Sequence, residues 1–82
     1  MRYHCTCTTD LHELIGQDGD NGFEYGPLSS ALKRGEDLVL EESSFLGLVM
    51  VAKINHILHS MLFIVETEET LHAPSGFKLV LH

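Results

Sequence analysis

Leu38-Val39-Leu40 narrows the choice of fold more than any other stretch of the chain. Three consecutive apolar residues stand between Asp37 and the doublet Glu41-Glu42. A strand with one wet face alternates apolar and polar side chains. An unbroken run bounded by charges reads instead as a strand covered on both faces, which points to a parallel sheet flanked by helices.

The preceding residues supply one of those helices. Gly26-Pro27 places proline at a first helical position, where its missing N–H costs nothing. Leu28, Ala31 and Leu32 follow at i, i+3, i+4 spacing, Lys33 and Arg34 suit the negative C-terminal end, and Gly35 suits the stop. Tyr3, Cys5 and Cys7 alternate with His4, Thr6 and Thr8, so Tyr3 to Thr8 is expected to form a strand. Thr8-Thr9-Asp10 can cap a helical turn over Leu11, Leu14 and Ile15, closed by Gly16. Gln17 to Gly22 is expected to be a loop, and Phe23-Glu24-Tyr25 a short strand. Ser43 or Ser44 can cap a helix running to about Ser60. Leu46, Met50, Ile54, Ile57, Leu58 and Met61 share one face of it, while Phe45, Val49 and Ala52 occupy the opposite face. A helix that is apolar nearly all round expects cover on more than one side, so partner surface is implied. Leu62–Val65 and Leu71 onward suggest a hairpin around Glu66–Thr70, Pro74-Ser75-Gly76 a turn, and Phe77–Leu81 a last strand. The order of elements favours an α/β fold in a single domain over 1–82.

Composition excludes several function classes. Twelve acidic against five basic residues give −7 in 82 residues, with no basic run. Nucleic-acid and anionic-membrane binders usually carry a basic patch, so neither partner is expected. Phe45 to Ala52 is the longest apolar run and is too short to span a bilayer. No apolar segment of signal-peptide length opens the chain. Cys5 and Cys7 do not make a disulfide framework. A reducing, cytoplasmic location is the expectation.

The segment Phe23-Glu24-Tyr25, Gly26-Pro27-Leu28, Ala31-Leu32, Gly35, Leu38-Val39-Leu40-Glu41-Glu42 resembles the middle of a MoxR/midasin-type AAA+ ATPase. There an aromatic strand leads into Gly-Pro-Leu and a short helix, and the next strand ends in the acidic pair called Walker B. Thr9-Asp10-Leu11-His12-Glu13-Leu14-Ile15-Gly16 is similar to an upstream element of that family. Ile54-Asn55-His56-Ile57-Leu58 resembles the close of its next helix. Leu62–His72 is similar to its following hairpin, and Ala73–Val80 to the strand leading to the sensor asparagine. The resemblance covers nearly the whole chain in order. It implies part of a P-loop-NTPase-like parallel sheet with an inserted β-hairpin. The parent activity it implies is ATP-driven remodelling or chaperone-like activation of a partner by an oligomeric ring, with ATP and Mg²⁺ as cofactors. By position, Glu41 takes the metal-orienting role and Glu42 the role of the base that polarises water.

The departures are as informative. No Gly-x-x-x-x-Gly-Lys-Ser/Thr occurs, so the loop whose amides cradle phosphate is absent from these residues. Sensor asparagine and arginine finger have no counterpart. Glu41 stands where the family has Asp, one methylene longer than magnesium's tight octahedral geometry favours. Tyr25 runs directly into Gly26, without the family's intervening residues. The chain is therefore expected to be a truncated or degenerate core that neither binds nor hydrolyses ATP alone. Without the family, Glu41 and Glu42 are simply acids between a strand and a helix, offsetting the helix dipole.

Other constellations are weaker. Zinc accepts ligands of the types His4, Cys5, Cys7 and His12, but their spacing fits no zinc pattern, and a buried-strand cysteine pair is the simpler reading. His56 and His59 stand at i, i+3 without a third ligand. Glu66, Glu68 and Glu69 crowd a hairpin tip and read as a solvated turn. Met50, Met61 and Phe63 read as core. The alternative to an ATPase core is a small non-enzymatic α/β module, docking a protein partner or a second copy through helix 43–60 as a homo-oligomer.

Overall fold

The computed structural model describes residues 1–82. Its centre is a three-stranded parallel sheet of β1 (Arg2–His4), β4 (Leu38–Glu41) and β7 (Leu79–Leu81), with β4 in the middle. Tyr3 and Leu81 stand opposite Leu40 on either side. The run Leu38-Val39-Leu40 thus forms the expected central strand. Leu38 and Leu40 are completely buried, whereas Val39, on the other face, is half-buried. One face of the sheet carries the core and the other is only partly covered, which corrects the expectation of full cover. Eighty-two residues supply too few elements to close both faces.

Helix α2 (Pro27–Arg34) forms where its local signals place it, with Pro27 inside its start and Gly35 in the left-handed conformation at its end. Leu28, Ser29, Ala31 and Leu32 are buried. The Ser29 hydroxyl donates to the Ile15 carbonyl at 2.6 Å, so its burial leaves no orphan group. Helix α1 (Leu11–Ile15) is capped by Asp10, whose carboxylate accepts from the Glu13 N–H at 2.8 Å. It packs on α2 and buries Leu14.

Gln17–Gly22 is not a loop. Residues Gly16–Gly19 form β2, paired antiparallel with β3 (Gly22–Tyr25), and only Asp20 and Asn21 turn. Polar and glycine-rich composition hid this strand, because its partner rather than its own pattern specifies it. Strand β1 is also shorter than expected and stops at His4. Cys5 is buried and Cys7 exposed, so they are not a buried pair.

After β4 a 3₁₀ turn (Ser43–Phe45) leads into α3 (Gly47–His59). The helix begins later than Ser43–Ser44 because Gly47 adopts a left-handed φ of 78° at the junction. Within α3 only Ile54 is fully buried. Strands β5 (Leu62–Ile64) and β6 (Glu69–Leu71) form the expected hairpin, but Glu69 and Thr70, expected in the turn, belong to its second strand. Leu62 and Ile64 face inward, while Phe63 is exposed, as is Met61 just before the strand. Those two are therefore not core. Met50 is half-buried against it.

Candidate functional site

The C-terminal ends of β4 and β7 meet at one end of the parallel sheet. In open α/β sheets that end is where ligands bind. The His82 N–H donates to the Leu40 carbonyl at 3.0 Å. The His82 carbonyl accepts from the Ser43 N–H at 2.9 Å and from its hydroxyl at 2.8 Å. Three bonds thus fix how the chain leaves β4, and with it Glu42. That residue has φ 56°, a left-handed conformation rare for a side chain as long as glutamate. Its carboxylate makes no hydrogen bond and faces an open groove of about 600 Å³ whose walls include Ser44, Gly47, Leu48 and His82.

Glu41 is the last residue of β4, opposite His4. One carboxylate oxygen lies 3.2 Å from the Arg2 guanidinium. No local signal predicts this pair, since 39 residues separate its members. It exists because the parallel register places β1 beside β4. The two acids therefore diverge in environment: Glu41 is paired with a cation and Glu42 is free beside the groove.

The sequence-nominated zinc set does not assemble. His4, Cys7 and His12 are exposed while Cys5 is enclosed. Burial, with the nearby Glu13 carboxylate, pushes the Cys5 thiol above its usual range. Burial and a hydrogen bond to Glu13 likewise raise the Tyr3 hydroxyl. No group of three His, Cys, Asp or Glu side chains converges as a metal would require. His56 and His59 lie exposed on α3. Glu66 and Glu68 are exposed at the hairpin tip, whereas Glu69 is bonded to Lys33 and Tyr25.

Magnesium and a nucleotide do not fit these residues unaided. The groove has no glycine-rich phosphate loop, Arg2 occupies one oxygen of Glu41, and no third ligand stands nearby. No helix is long and apolar enough to cross a membrane. No family model, curated protein or solved structure matches the chain.

Proposed function

We propose that residues 1–82 are the central part of an AAA+-type ATPase core of the MoxR/midasin class, whose parent activity is ATP-dependent remodelling or chaperone-like activation of a partner. One observation carries this reading: Glu41-Glu42 closes the middle strand of a parallel sheet, beside a groove at the strands' C-terminal end. In such a core Glu41 is the metal-orienting acid and Glu42 the group that polarises water. The groove does not hold Mg²⁺ and ATP with these residues alone. The purified chain should show no ATP turnover and a nucleotide Kd of roughly 1 mM or weaker. Turnover that Glu42→Gln abolishes would overturn this. Reading the coding region upstream of Met1 tests the family itself. A strand followed by Gly-x-x-x-x-Gly-Lys-Ser/Thr supports it, and a start site at Met1 with no such loop counts against it.

A second reading is a non-enzymatic interaction module that docks through α3. Leu48 is 90% exposed and Val49 71% on that helix, far more than a surface helix needs. Light scattering tests it, since a well-folded chain that stays strictly monomeric and binds no protein would exclude it.

A further inference from the structure

We infer that the exposed face of α3 binds the outer face of the β5–β6 hairpin of a second copy of this chain, head to tail. The inference rests on the second reading above and names the occupant of that helix face.

The charge map carries it. The chain has twelve acids, yet none lies between Glu42 and Glu66. Helix α3 is therefore a neutral-to-basic surface on a molecule of net charge −7. Beside Val49, a shallow groove of about 510 Å³ runs between α1 and α3, and Leu48, one position earlier, borders the other groove. Leu11, Ala52 and Ile57 help to floor the α1–α3 groove, and Lys53 and His56 stand at its rim. The hairpin is its complement. Phe63 and Val65 are 53% and 71% exposed, and Glu66 and Glu68 follow directly at the tip. The two ion pairs within the chain are Arg2–Glu41 and Lys33–Glu69, which leave Lys53, Glu66 and Glu68 without an opposite charge.

Sign then selects the pairing. Helix against helix would bring two Lys53 together, and hairpin against hairpin would bring four unpaired carboxylates together. Only the crossed contact sets apolar on apolar and acid on base, and like charges in contact are strongly disfavoured. Because the two patches differ, one contact leaves the hairpin of one copy and the α3 face of the other free. The assembly can then extend beyond a dimer, as a ring or an open chain.

Sedimentation velocity over a wide concentration range, on the full 82-residue chain, tests this. Wild type should grow beyond monomer as concentration rises. Lys53→Glu alone and Glu66→Lys/Glu68→Lys alone should each weaken association by about 10-fold or more. Mixing the two variants in equal amounts should restore it, since every junction then again joins opposite signs. Circular dichroism confirms that these surface variants fold. Failure of the mixture to recover overturns the inference. Leu48→Asp provides the distinction between readings: if it disperses the assembly while both charge variants associate like wild type, α3 docks but the hairpin is not its occupant. A monomer at every concentration overturns the head-to-tail contact, and α3 as a docking face for another protein is then decided by whether Leu48→Asp changes any such binding.

Discussion

The ammonium of Lys33 lies 2.8 Å from the carboxylate of Glu69, tying the end of α2 to the start of β6. Lys33 also stands 4.1 Å from the centre of the Tyr25 ring, and the Tyr25 hydroxyl donates to the same carboxylate. Tyr25 in turn meets Phe23 edge to face, with ring centroids 5.0 Å apart. Four side chains thus join β3, α2 and the β5–β6 hairpin.

This junction makes stability depend on acid. The Lys33 bond, then the Tyr25 hydroxyl, lower the Glu69 carboxyl from 4.5 to about 2. A folded value below the unfolded one contributes stability above the unfolded value, and that contribution is lost as pH falls from 4.5 towards 2. Lys33 is raised by the same bond, so its contribution is present below 10.5 and lost as pH rises through the raised value. Urea denaturation across the acid range should show a shallower loss of stability in Glu69→Gln than in wild type. Equal slopes would mean the pair does not persist in solution.

Gly26 should tolerate no side chain. A Cβ there would overlap the carbonyl oxygens of Glu13 and Leu14, which are backbone atoms and cannot rotate away. Gly26→Ala is expected to cost about 1–3 kcal/mol or more, as overpacking does. Gly35, with φ 71° and only an ordinary contact with Pro74 for an added Cβ, should lose only about 1 kcal/mol on Gly35→Ala, from left-handed strain alone. Thermal melts of the two variants rank them. The reverse order would mean that α1 and the Gly26 backbone are farther apart than described.

Leu40 is completely buried on the central strand, and Leu40→Ala should cost about 2–5 kcal/mol. Leu48→Ala, at a position 90% exposed, should change monomer stability by less than about 0.5 kcal/mol. Chemical denaturation at low protein concentration separates folding from association. A large loss for Leu48→Ala under those conditions would place that residue in the core.

Glu42 is held where glycine is favoured. Glu42→Gly should raise stability by roughly 1 kcal/mol. A stabilised variant would mark Glu42 as a residue kept at a cost, as site residues often are. A destabilised one would make it an ordinary structural acid.

The exposed Arg2–Glu41 pair should add little to stability. Arg2→Ala is expected to cost less than about 1 kcal/mol in double-mutant analysis with Glu41→Ala, because the Arg2 side chain is largely in water and that of Glu41 is still partly exposed. A coupling well above that would indicate that the sheet end is more enclosed than its exposure shows.

What the sequence determined by itself is what short-range chemistry can specify. Proline and glycine at the two ends of Pro27–Arg34 set the helix, the apolar run Leu38–Leu40 set the buried strand, and the polar stretch between the apolar segments at Leu62–Val65 and Leu71 set a hairpin. Each rests on residues a few positions apart, whose backbone preferences need no partner. The tertiary structure decided the rest. It made a strand of Gly16–Gly19 by lending it β3, set Arg2 on Glu41 through a parallel register, joined Lys33 to Glu69, and left Phe63, Leu48 and Val49 in water. The β2–β3 pairing is local but needs both strands at once, and the two ion pairs join residues far apart in the chain. Hydrophobic character says only that a side chain gains by being covered, and the packed arrangement of all elements together decides which ones are.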